Sequence, residues 1–185
     1  MKRISDKARK RYKEAKPVRD GLRESVGCCE ACGRRGCTLD IHEIARGKDR
    51  QKALDKLYAL LVACRTCHEE FDSAAKWPEA RQLALLAEKR LYDWDLVAYL
   101  NLTNPRAPRR IELHEVLEYM SDQLLKVEEV AERMQVNRRT VQTWIDSGQL
   151  PAVDVRPAGA ERAMWRVELE DLLKFAQQRK LKAEE

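Results

Sequence analysis

Two short-spaced cysteine pairs, Cys29 with Cys32 and Cys64 with Cys67, set the strongest constraint on what this chain can fold into. Two thiolates three positions apart can reach one metal with little backbone strain. Two such knuckles can close a loop around a single tetrahedral ion at Zn–S distances of about 2.3 Å. The alternative is a pair of disulfides or buried free thiols. The basic N-terminus has no apolar core segment of the kind that opens a secretory signal, so a reducing, cytoplasmic setting is expected and zinc is preferred to disulfides. Cys28 and Cys37 fall outside the pattern and read as spare thiols.

A chain of 185 residues can form one domain or two small ones, and small domains usually need a staple to supplement a thin core. With 36% charged residues and no long apolar run, a membrane-spanning segment is not expected. The formal net charge of +5 is unevenly spread. Residues 1–23 carry ten Lys and Arg against three acids, the composition of an arm that neutralises phosphates. A second basic segment runs from Pro105 to Arg110, where prolines and asparagines mark a joint. Upstream, Pro78 reads as a helix start, and Ala80, Leu83, Leu86, Leu91 and Trp94 form an interrupted apolar stripe, so one or two helices are expected over 78–100. Helical periodicity resumes near Leu113.

Between the knuckles, Thr38 to Ile44 alternates as a short strand, Ala45 to Arg50 reads as a polar loop, and Leu57 to Ala63 is an apolar run ending at Cys64. With a helix starting at the second knuckle, this is a ββα unit. Over roughly 26–75, the Cys pair, Ile41-His42-Glu43-Ile44 and Leu61 to His68 resemble the zinc-knotted HNH (His-Me finger) endonuclease family. That resemblance implies a structural zinc on the four cysteines. It also implies a second divalent ion, Mg²⁺, Mn²⁺ or similar, held by His42 from the first strand and His68 from the helix against a scissile phosphate. Glu43 stands where the general-base histidine usually follows the first ligand, and Ala59 where an asparagine often orients it. A carboxylate is a base about two pKa units weaker than imidazole, so Glu43 reads as an altered base or as a further ligand beside His42. The alternative makes both histidines structural supports of a zinc-stabilised DNA clamp. Arg46, Lys48, Arg50 and Lys52 are the loop's candidate phosphate contacts.

The second half has a different grammar. Val127, Val130, Ala131 and Met134 share a helical face, Asn137 is suited to cap the next helix, and that helix buries Val141, Trp144 and Ile145. Ala152 to Arg156 and Ala163 to Val167 alternate around a Pro157–Ala160 turn, a hairpin wing, and Leu169, Leu172, Leu173 and Phe175 belong to a closing helix. Residues 124–176, with Trp144-Ile145 followed by Gly148 and Leu150-Pro151, resemble the excisionase-like winged helix-turn-helix family. The resemblance implies duplex DNA as partner. Arg138, Arg139, Thr140, Gln142 and Thr143 would face the major groove, and Arg156 and Arg162 would reach out from the wing.

The expected fold class is therefore α+β: a basic arm (1–25), an HNH-like ββα zinc module with following helices (26–102), a linker and connecting helix (103–123), and a small winged helix-turn-helix domain (124–180). The functional expectation is a duplex-DNA-binding protein whose reader domain targets a metal-dependent endonuclease module. The alternative is a catalytically inactive DNA-binding regulator or excisionase-type architectural factor. A protein-docking adaptor is a third reading. No small-molecule cofactor is expected. A homodimer through the helix around Leu113 to Met120 is an open option, and the pairing of modules suggests a phage or mobile-element setting and partner.

Overall fold

The computed structural model describes residues 6–103, 111–120 and 124–183. The basic segment at 105–110 and the first five residues, Lys2 and Arg3 among them, lie outside the described residues. From Asp6 onward the basic N-terminus is a helix: α1 runs from Asp6 to Val26. It buries Ala8, Ala15 and Leu22, at spacings of two turns, and leaves most of its Lys and Arg exposed.

The ββα unit comes next. β1 (Leu39–Glu43) pairs antiparallel with β2 (Leu60–Cys64), in a register that sets Ile41 against Val62 and His42 against Leu61. The connection holds 3-10 turns at Gly47–Lys52 and Leu57–Ala59. Helix α2 (Arg65–Phe71) starts directly at the second knuckle. One face of the two-stranded sheet packs Ile41, Leu60 and Val62 on Leu22 of α1. The other face joins the main core.

The predicted helical stretch divides into α3 (Glu79–Lys89) and α4 (Leu96–Leu102). Asp95 caps α4 by accepting from the Ala98 N–H at 2.9 Å. The five stripe residues Ala80, Leu83, Leu86, Leu91 and Trp94 are all buried. A short helix, α5 (Leu113–Leu117), buries Val116.

The C-terminal part contains β3 (Leu124–Lys126), α6 (Val127–Met134), α7 (Arg138–Asp146), β4 (Val153–Asp154), β5 (Trp165–Glu168) and α8 (Leu169–Ala183). Its small sheet has the order β3-β5-β4. β4 and β5 form the expected wing hairpin; β3 is an addition, since the sequence pattern indicates only a helix there. Val130, Val141, Val167, Leu172 and Leu173 are fully buried between these elements. One continuous cluster of buried apolar side chains runs from the zinc half, through Leu86, Trp94 and Leu96, to Val130, Leu172 and Phe175. Polar contacts cross at the same place: Lys180 Nζ donates to the Trp94 carbonyl at 2.6 Å, and the Leu96 N–H donates to Gln177 Oε1 at 3.3 Å.

Candidate metal centres and nucleic-acid interface

The sulfur atoms of Cys29, Cys32, Cys64 and Cys67 lie within 4.8 Å of one another and can hold one structural metal ion such as zinc. Cys28 and Cys37 stay outside the group. The first knuckle turns through Gly33 at φ 73°, a conformation that favours glycine, and the Gly33 N–H donates to the Cys29 carbonyl at 2.8 Å. Glu30, 4% exposed, ties this knuckle to β2. Its carboxylate accepts from the Val62 N–H at 2.6 Å and from Arg90 Nε at 2.7 Å. Burial opposes ionisation of Cys29, yet hydrogen bonds from the backbone of Cys64, Cys32 and Ala31 outweigh it and bring the thiol down to about 7. Burial and the neighbouring thiols push Cys67 the other way. Crowded sulfurs cannot all ionise without a cation, and a dication relieves that conflict.

A second cluster lies where β1 meets α2 and α3. The imidazoles of His42 and His68 meet edge to face, with centroids 5.0 Å apart. His42 is 3% exposed and also packs on Phe71. Burial, followed by the charge of His68, pulls its pKa down to about 4, so the ring is neutral at ordinary pH. His42 Nε2 contacts Gln82 Oε1 at 2.9 Å, while His42 Nδ1 is buried without a hydrogen-bond partner. An orphaned imidazole nitrogen beside a second imidazole suits a divalent ion. Asp72, just past the end of α2, adds negative charge felt by His42.

Glu43 does not join this pair. Successive side chains of a strand point to opposite faces, and Glu43 projects toward α1, where Arg19 of α1 and Arg50 of the Gly47–Lys52 turn both bind its carboxylate, the latter through Nε at 2.7 Å. Burial opposes its ionisation, but the two guanidinium groups hold its pKa below the usual carboxylate value. Ala59, at the place of the orienting asparagine, is buried and offers only backbone: its carbonyl accepts from the Ile44 N–H at 2.9 Å.

The loop cations divide in the same way. Arg46 Nη2 donates to the carbonyls of Phe71 and Trp77 at 3.1 and 2.9 Å, Arg50 is spent on Glu43, and Lys52 bonds Asp49 and the Leu102 carbonyl. Lys48 is exposed. Of the four candidate phosphate contacts, three also brace the fold through these bonds. Sequence inspection missed Gln82, Glu30, Arg19 and Arg90. Gln82 carried a signal: it is a polar residue at the head of the apolar run Leu83 to Ala87.

In the C-terminal part, α6 ends at Gln135, in the left-handed region at φ 54°, and Asn137 caps α7 by accepting from the Thr140 N–H at 2.8 Å and its hydroxyl at 3.0 Å. Val141, Trp144 and Ile145 of α7 are buried, whereas Arg138, Arg139 and Thr143 are exposed and Thr140 and Gln142 half-buried. Arg138 pairs with Glu128 across the solvent-exposed surface at 3.1 Å, a contact of little strength that a phosphate can replace. Gln142 bonds Asp146 at 2.8 Å along the helix. In the wing, Arg156 leans on Asp154 at 2.9 Å, and Arg162 is exposed.

Residues 124–180 match the family model of a helix-turn-helix domain. No curated protein and no solved structure matches the chain. The C-terminal part is thus a helix-turn-helix domain, a class that binds DNA. Among the described residues no helix is long and apolar enough to cross a membrane.

Proposed function

We propose that this protein binds duplex DNA through the helix-turn-helix domain and hydrolyses a phosphodiester at a divalent-ion site built on His42 and His68, within an HNH-like module stapled by the four-cysteine metal. The observation that carries the reading is the unpartnered Nδ1 of a buried, neutral His42 facing a second imidazole. Such a nitrogen has no structural use for its lone pair, and leaving it unpaired costs about 1–3 kcal/mol. A bound divalent ion would polarise the phosphate and stabilise the leaving oxygen. His42 and His68 would hold it, and Asp72 would add to the local negative potential. Arg138 and Arg139 at the start of α7, with Thr140, Gln142 and Thr143, would meet the groove, with Arg156 and Arg162 on the flanking backbone. Lys48, exposed in the loop, would meet a phosphate.

One observation favours a second reading, a binding protein without turnover. Glu43 is locked between Arg19 and Arg50 and gives His42 no neighbouring base. A hydrolytic water would then need another proton acceptor, and in its absence the module would be a clamp.

Nicking of supercoiled plasmid in Mg²⁺ or Mn²⁺ tests the proposal. Cutting should be chelator-sensitive and absent from His42→Ala and His68→Ala variants that retain DNA binding. Retardation of duplex DNA without scission at any of these ions would leave the clamp.

A further inference from the structure

Gln82 is fully buried on α3, and its side chain makes three hydrogen bonds. Its Nε2 lies 2.8 Å from the Trp77 carbonyl and 3.1 Å from the Phe71 carbonyl. Both partners can only accept, so the amide nitrogen must face them and Oε1 must face His42. Oε1 can only accept as well. At 2.9 Å from His42 Nε2 it therefore fixes the ring proton on Nε2. Arg46 Nη2 donates to the same two carbonyls, so the segment that orients the amide is itself gripped by a second donor. A flipped amide would set oxygen against two carbonyls and NH₂ against an N–H.

We infer that Gln82 is the positioning residue of the His42–His68 pair: it dictates the ring tautomer of His42 and so dedicates the Nδ1 lone pair to a ligand. The inference rests on the divalent-ion reading for what that ligand is, but the tautomer itself does not. A histidine that ligates a metal through one nitrogen commonly donates the other N–H to an oxygen acceptor, which aims the ring and raises its basicity. Here the acceptor is a neutral amide from a helix that carries none of the four cysteines. The nitrogen left over is the buried orphan. This role also explains why a helix buried through Leu83, Ala84, Leu85, Leu86 and Ala87 buries one polar side chain, Gln82, among them.

The test uses the full-length protein with its cysteine-bound metal in place and ring-¹⁵N-labelled histidine. In wild type, long-range ¹H–¹⁵N correlation should show His42 protonated at Nε2 with a free, pyridine-type Nδ1. Gln82→Leu should lose that single tautomer and weaken Mn²⁺ binding, measured by electron paramagnetic resonance, by about 10- to 100-fold. Gln82→Glu, as a protonated carboxyl that donates its O–H to the Trp77 or Phe71 carbonyl and keeps a carbonyl oxygen for His42, should restore the Nε2–H form. Circular dichroism and retention of the thiolate-bound ion establish that the variants fold. A wild-type ring protonated at Nδ1, or a folded Gln82→Leu protein with unchanged tautomer and Mn²⁺ affinity, overturns the inference. If wild type shows the Nε2–H form, lost in Gln82→Leu, yet binds no Mn²⁺, the role of Gln82 stands and the divalent-ion reading fails.

Discussion

Adjacent on one strand, His42 and Glu43 serve opposite sides of the sheet. The strand alternation that separates them is legible in Thr38 to Ile44, but motif position draws both toward one site, and the period of two outweighs it. Glu43 acts as an anchor for α1 through Arg19 and for the loop through Arg50. Glu43→Gln should therefore lower stability by roughly 3 kcal/mol in urea unfolding, because it leaves a partly buried guanidinium uncompensated. The same variant should bind Mn²⁺ as wild type does; a loss of ion affinity at unchanged fold would return Glu43 to the site. For His42 the sign of the pH effect follows from a pKa lowered from 6.5 to about 4. Between those values the unfolded chain binds the proton and the folded one does not, so stability falls as pH drops through that window. The loss should be on the order of 3 kcal/mol. It should be visible as a urea midpoint that declines from about pH 7 to about pH 4.5 more steeply in wild type than in His42→Phe. Gln82 interrupts the apolar run of α3 in the sequence, but a lone glutamine has no spacing partner to give it a role; its three hydrogen-bond partners in space do.

At the scale of elements, periodicity carries most of the C-terminal part. The apolar positions of α6 and α7, the Asn137 cap and the hairpin of β4 and β5 are all legible, since each follows from local pattern. β3 is not, because a strand of three residues with one buried side chain, Leu125, exists only through pairing with β5. Likewise the basic N-terminus reads as an arm because its burial rests on just Ala8, Ala15 and Leu22, two of them too small to register as an apolar face. Asn137→Ala removes an acceptor from the first turn of α7 and should cost about 1 kcal/mol in thermal unfolding. It should also weaken DNA binding by disordering the helix end that presents Arg138 and Arg139. Replacing both arginines by alanine should reduce affinity and flatten the dependence of log K on log salt by about one to two units. An unchanged salt slope would remove α7 from the DNA interface.

At the scale of the molecule, a four-cysteine cluster that can hold a metal ion and the His42–His68 pair, proposed as a second ion site, share one small sheet. The cysteines come from the two ends of the ββ unit, so an ion held there would fix the register of β1 on β2, and with it the approach of His42 to His68. The reader domain is joined to this unit through buried apolar side chains around Trp94 and Phe175 and through Lys180. Cysteine spacing makes the first arrangement legible; the second is legible through the family resemblance and not through spacing, because His42 and His68 lie 26 positions apart and meet only when α2 turns back over β1. Elemental analysis of the full-length protein, dialysed with and without Mn²⁺, tests the two-ion reading at its centre. The expected result is one ion per chain that survives mild chelation, and a second that appears only with Mn²⁺ and is absent from His42→Ala and His68→Ala. A native protein without a tightly held ion, or a second ion that persists in both histidine variants, would contradict it.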